Sequence, residues 1–208
     1  ADVKLIAVHT HGPGLFHTRT PINTLEDLEG MKVRGGSRVI NAMLADLGAE
    51  PIGMPVPEVP QSLVTGVIDG TTIPWQVTLS LRTSEIVANH TGFAGDHGLY
   101  TQTFAFVMNR NAYERLPDDL KAVIDANTGI EWAGRFGAVN DADDLVARDL
   151  AAGFGNAIVT LDATETARWR AAAHTTIDDW FEETDAAGFD GEALYARAVE
   201  LVEEETAR

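Results

Sequence analysis

Arg34 is followed by Gly35, Gly36 and Ser37, an order of residue types suited to holding an anion. A guanidinium offers paired N–H donors to a carboxylate. Two glycines let a ligand approach the backbone, and Ser37 stands where a helix can begin, so free backbone amides would add to the positive potential. An ordinary role is equally open to Arg34, an ion pair with a surface Asp or Glu, and spacing alone leaves both readings standing. A second constellation is His9-Thr-His11, two imidazoles two residues apart after an apolar run. H-x-H at the end of a first strand can begin a metal site in barrel hydrolases, which makes a metal-dependent hydrolase using His9 and His11 the alternative reading. Such a site needs further histidines and an aspartate at later strand ends, and His17, His90, His97 and His174 lack that arrangement. Read otherwise, His11 is a neutral or charged donor in a pocket. No Ser/His/Asp grouping, phosphate loop, dinucleotide fingerprint or zinc spacing occurs elsewhere, so the sequence implies no catalytic residue, bound metal or cofactor.

The elements that must position these groups alternate. Residues 4–8 are apolar and β-branched enough for a buried strand, which the glycines and proline of residues 9–14 break into a loop. Thr24 to Asp27 has the form of a capping box, Gly30 ends that short helix, and residues 31–35 make the next strand, with Arg34 near its C-terminal end. Ser37 caps a helix over 38–47 whose apolar face is Val39, Met43, Leu44 and Leu47, closed by Gly48. A strand over 51–54, a helix over 58–65 entered through prolines, and a turn at Gly70 follow. The pattern is that of an α/β lobe with ligand groups at strand C-terminal ends. After a clear strand, Thr103 to Asn109, the sequence reads as one helix from Pro117 to about Ala152. At 1.5 Å per residue, about 36 residues would span about 54 Å, too long for one small lobe. Helices over 164–186 and 191–206 finish the chain, with Trp169, Ile177, Trp180, Phe181, Leu194, Val199 and Leu201 assigned to core.

The 208 residues carry 32 acidic and 15 basic side chains, a net charge of −17. That field repels phosphate backbones and excludes nucleic acid as a partner. It also disfavours anionic ligands unless positive groups such as Arg34 and Arg38 are concentrated locally; its plainest reading is solubility or adaptation to salt. With 45% apolar residues, no cysteine, no apolar run of 18 residues and no signal-peptide pattern at Ala1, the chain reads as soluble and unanchored, without disulfides.

Three segments taken together carry a resemblance: Leu25-Glu-Asp-Leu-Glu-Gly-Met-Lys-Val-Arg34, Met54-Pro-Val-Pro-Glu-Val-Pro60 and Thr65-Gly-Val-Ile-Asp-Gly70. In order and spacing they resemble the DctP-type solute receptors of TRAP transporters. The resemblance implies a type II periplasmic-binding fold, α/β, with two lobes closing around an organic acid and a long spine helix crossing both. It implies a periplasmic home and delivery of ligand to membrane permease subunits, without catalysis. A sensor module on the same fold is a further possibility. The whole chain aligns with the middle and later part of the family pattern, so an N-terminal segment of the first lobe is expected to be missing. The expected division is a ligand-binding lobe over 1–100, then the returning strand, spine helix and C-terminal helices over 101–208. The resemblance also implies that Arg34 grips the ligand carboxylate, that Thr72, Ile73 and Trp75 line the pocket after the Asp69-Gly70 turn, and that Tyr100 and Gln102 reach a ligand substituent. Ile73 replaces an asparagine, and Pro13 a second arginine, of the sialic-acid-type pattern. Loss of both polar grips, with Trp75 as a flat face, points to a monocarboxylate with an apolar or aromatic body; simple core packing is the other role open to Trp75. Expressed alone, the 208-residue chain is expected to associate.

Overall fold

The computed structural model describes residues 2–95 and 97–206, which form two sheets and ten α-helices. In the smaller sheet β1 (Val3–Thr10) pairs antiparallel with β7 (Thr103–Asn109), with a register shift between Leu5 and Ala7. The larger sheet has six strands in the order β4-β3-β5-β2-β6-β8. These are β2 (Leu15–Thr18), β3 (Lys32–Gly35), β4 (Glu50–Gly53), β5 (Gly70–Ile73), β6 (Asn89–Phe93) and β8 (Ala157–Leu161). β2 runs antiparallel to both neighbours, and every other pairing in that sheet is parallel.

The helices are α1 (Arg38–Asp46), α2 (Val59–Thr65), α3 (Trp75–Leu81), α4 (Thr83–Ile86), α5 (Arg110–Glu114), α6 (Asp118–Ala126), α7 (Ile130–Gly153), α8 (Ala163–Ala172), α9 (His174–Ala186) and α10 (Gly191–Thr206). The local signals near the site act as read. The Asp27 carboxylate accepts the backbone N–H groups of Asn23 and Thr24, and the Ser37 hydroxyl accepts the N–H of Ile40 to start α1. Leu28, Met31, Val33, Ile40, Met43 and Leu44 then join Phe16 and Trp169 in the main core, so that burial of this apolar surface fixes β3 against α1. A second buried cluster, Val59, Leu63, Ile68 and Val87, seats α2. This is the α/β, two-sheet architecture with a long helix that the resemblance implied.

Several expectations need correcting. β1 runs through His9 to Thr10 instead of breaking at His9, because His9 and Thr10 find partners opposite Phe104 and Thr103. The helix read from Pro117 to Ala152 is two. The chain breaks at Asn127–Gly129, where Gly129 takes φ +95° and donates its N–H to Ile6 O on β1, so a contact to the small sheet replaces a helical bond. The 24-residue α7 is about 36 Å long and packs along β1 and α3. The helix read over 164–186 divides at Ala173 into α8 and α9. On α1, Val39 is exposed and Ile40 takes its place in the core. Leu194, Val199 and Leu201 on α10 are exposed, whereas Trp169 is fully packed between Phe16 and Phe93 with ring centroids 5.4 Å from each.

Candidate functional site

Arg34 lies at the C-terminal end of β3, where it is only 4% exposed. Its Nε donates to Met54 O at 3.1 Å, the one hydrogen bond its side chain makes among the described residues, and no acidic residue pairs with it there. Neither Nη atom makes a hydrogen bond among the described residues, and Arg34 lines a recess of about 540 Å³ with Gly35, Ser37, Asn41, Gly53 and Met54, among others. Burial draws the guanidinium below its ordinary pKa, with the Tyr100 ring acting in the other direction. Arg38 also borders the recess, but both of its terminal nitrogens bond Glu183 at 2.6 Å on α9. The positive potential therefore rests on Arg34 and the start of α1. The ordinary role, an ion pair with a surface acid, is taken by Arg38.

Ser37 lines this recess as the cap of α1. Thr72 is tied to Arg34 and Tyr100 at once: its hydroxyl donates to Arg34 O at 3.2 Å, and Tyr100 Oη donates to Thr72 O at 3.0 Å. Burial pushes the Tyr100 phenol up, opposed by that bond and by Arg34. His11 meets the Tyr100 ring edge-on, with centroids 5.5 Å apart, and burial lowers its pKa. Arg34, Thr72, Tyr100 and His11 thus form one connected series. Gln102 joins them, since its Oε1 and Arg34 Nη1 lie 3.2 Å and 3.3 Å from the point where a Cβ on Gly36 would stand.

Ile73 and Trp75 stand apart from that series. Ile73 is buried opposite Leu15 on β2, and its carbonyl accepts from His17 Nε2 at 3.2 Å. Trp75 lies over His17 and His90, at 5.1 Å and 4.8 Å between centroids, and faces a second recess of about 290 Å³ with Leu15, Phe93 and Asp144. Beneath Trp75 is a buried relay. His17 Nε2 donates to the Ile73 carbonyl, which leaves His17 Nδ1 to accept from His90 Nδ1 at 2.7 Å, and His90 Nε2 then accepts from Asn156 at 3.0 Å. Both imidazoles are neutral, lowered by burial to about 3 for His17 and about 4 for His90. Asp144 on α7 accepts the N–H of Gln76 at 2.6 Å in the first turn of α3, and burial raises it to about 6, aided by Asp141 and Asp143.

The metal reading loses its footing here. The His9 ring packs against Phe104 and Phe136, His11 Nδ1 turns to Gly12 O, and among the described residues no group of three or more His, Asp or Glu is placed to hold an ion. No helix among them is long and apolar enough to cross a membrane.

The model of a bacterial extracellular solute-binding protein family, family 7 or DctP, matches residues 1–184. The chain belongs to the DctP family. Among solved DctP-type structures it is similar to a TRAP solute-binding protein from an unidentified marine microbe, specific for aromatic acid ligands and bound to meta-hydroxyphenylacetate. That pair is 41% identical with TM-score 0.93, covering 97% of this chain and 64% of the other. A Rhodoferax ferrireducens TRAP protein with copurified benzoate is 38% identical with TM-score 0.92, covering 99% and 65%. One from Bordetella bronchiseptica with bound (R)- and (S)-mandelate is 31% identical with TM-score 0.84, covering 93% and 61%. The C4-dicarboxylate-binding periplasmic protein DctP of Rhodobacter capsulatus is 31% identical over 134 residues, 62% of this chain and 36% of that protein. The chain thus spans about a third of that curated relative and under two thirds of the solved ones.

Proposed function

We propose that this chain carries the acid-gripping part of an extracytoplasmic, periplasmic TRAP receptor, and that its ligand is a monocarboxylate with an aromatic or otherwise apolar body. The observation that carries this reading is Arg34: buried, held at Nε by one carbonyl, lining a recess, with neither terminal nitrogen hydrogen-bonded and no acid paired with it among the described residues. A desolvated guanidinium held in place in this way is costly to keep empty of an anion and strong toward a planar carboxylate. Ser37 adds the start of α1, while Thr72 and Tyr100 fix the wall behind the arginine, with His11 next to the phenol ring. The three relatives solved with aromatic acids support the apolar body, and the dicarboxylate-binding relative marks the competing ligand class. Delivery to permease subunits follows from the family, and the receptor binds and releases its acid unchanged.

The test is calorimetry on the complete gene product with benzoate, meta-hydroxyphenylacetate, mandelate and succinate. Arg34→Ala is expected to abolish binding of the aromatic acids with little change in melting temperature, and Arg34→Lys to restore it partly, because an ammonium cannot reproduce the paired N–H geometry. Unchanged affinity in Arg34→Ala, or succinate bound in preference to every aromatic acid, overturns the reading.

A further inference from the structure

The recess that holds Arg34 contains a second polar side chain whose bonding is incomplete. Asn41, in the first turns of α1, lines it beside Gly35 and Gly53. Its Oδ1 is enclosed and has no hydrogen-bond partner, and its Nδ2 makes no hydrogen bond among the described residues. That oxygen is an acceptor and cannot pair with a carboxylate, so Nδ2, on the Gly53 side, is the atom of this amide left to meet an acid. The two glycines form its seat: a Cβ on Gly35 would stand 2.2 Å from Asn41 Oδ1, and one on Gly53 3.1 Å from Nδ2. Glycine on two neighbouring parallel strands, paired opposite each other, therefore makes room for one amide at the mouth of the arginine recess.

We infer that Asn41 is the second grip on the ligand's acid group, its amide N–H donating to the carboxylate oxygen on the β4 side while Arg34 holds the other. This rests on the carboxylate reading of Arg34 and deepens it. The groups around the recess supply the matching chemistry: Arg34 offers free N–H donors, the first turn of α1 contributes backbone amides, and Asn41 offers one more donor beside Gly53 and Met54. With Oδ1 enclosed against Gly35 and Nδ2 unbonded on the Gly53 side, the donor meets the ligand at no loss of a protein contact. The ligand class is a planar carboxylate with both oxygens unsubstituted; an ester or amide of the same acid lacks the second anionic oxygen that Asn41 would meet.

Two variants test this in the complete gene product, each measured for benzoate and meta-hydroxyphenylacetate affinity and for melting temperature without ligand. Asn41→Leu is expected to lower affinity for both acids about tenfold, the scale of one buried hydrogen bond. Its ligand-free melting temperature should stay level or rise, because an unpaired oxygen is removed. Asn41→Asp, nearly the same shape, is expected to lower affinity at least a hundredfold by setting a second negative charge against the ligand. A structural asparagine gives the opposite pattern, lower stability with unchanged affinity, and that result overturns the inference. So does an Asn41→Asp variant that binds as the wild type. If the wild type itself binds neither acid, the fault lies with the carboxylate reading of Arg34 and the inference falls with it.

Discussion

At the scale of the residue, the site is a set of donors arranged around one arginine, and its wall is built from backbone. Thr72 illustrates this, since it accepts from Tyr100 through its carbonyl while its hydroxyl reaches the Arg34 carbonyl. Tyr100→Phe removes that single phenol bond, and we expect a loss of about 1 kcal/mol in urea unfolding with the carboxylate still bound. A loss of all acid binding instead would mean that the phenol itself touches ligand. That Arg34 and Ser37 stand together at one recess was legible in the sequence, because a cation, two glycines and a helix cap are local signals. Asn41 was not: an asparagine within an amphipathic helix looks like a solvated position until β4 is placed beside β3 and Gly53 is seen opposite Gly35. His17 and His90 were equally hidden, since 73 residues separate them and only the pairing of β2 with β6 brings them together.

At the scale of the element, the strands recognised in advance include those with a run of β-branched or apolar residues, β1 and β7. The ones missed, β2, β5, β6 and β8, have only four or five residues and are rich in His, Thr and Asn or lie close to a helix end; Gly70, read as a turn, begins β5. Their strand state is set by neighbours in the sheet, which no local window contains. The reverse error was made at Gly129, where helical composition continues on both sides and tertiary bonding to Ile6 decides the break. With φ +95° and ψ −160°, Gly129 occupies a region that only glycine enters without strain. Gly129→Ala is therefore expected to cost about 1–3 kcal/mol and to speed amide exchange at the Gly129–Ile6 bond. Exchange and stability equal to wild type would show that the break is not held by this residue.

At the scale of the whole molecule, acid and exposed apolar surface are the two stresses. Below about pH 6.5 the unfolded chain protonates His17 and His90, which the folded chain keeps neutral until about pH 3 for His17 and about pH 4 for His90. Stability is thus full above pH 6.5 and falls as pH drops through that window. Asp144, raised to about 6 from 3.8, acts with opposite sign: the folded chain keeps a proton that the unfolded chain has lost, and this offsets part of the fall. Urea midpoints are expected to be level from pH 7 to 8 and to report a loss of roughly 2–3 kcal/mol by pH 5, at about 1.4 kcal/mol per unit for each group. A His17→Leu/His90→Leu double variant should flatten the slope; an unchanged slope would assign the acid sensitivity elsewhere. Exposed apolar side chains occur on the small sheet, where Leu5 is 52% and Phe106 56% exposed, with Val8 and Val107 in the same pair of strands, and along α7 and α10. Exposed apolar surface favours association. The 208-residue chain alone is expected to run larger than a monomer in size exclusion with light scattering, and a strictly monomeric species at high concentration would contradict that.

One carboxylate joins two parts of the fold. Asp144 grips α3 through the Gln76 N–H and its Oδ2 presses on Gly12, while the far end of its helix is tethered to Ile6 through Gly129. Mechanically this makes α7 a lever pivoted on Asp144, with an arm of roughly 14 residues, about 21 Å, to Ile130. A tilt of about 5° at the pivot, too small to break the Gln76 bond, swings that end by roughly 2 Å at the 1.5 Å helical rise. A repacking around Trp75 that tilted α7 would therefore be felt at the Gly129–Ile6 bond to β1.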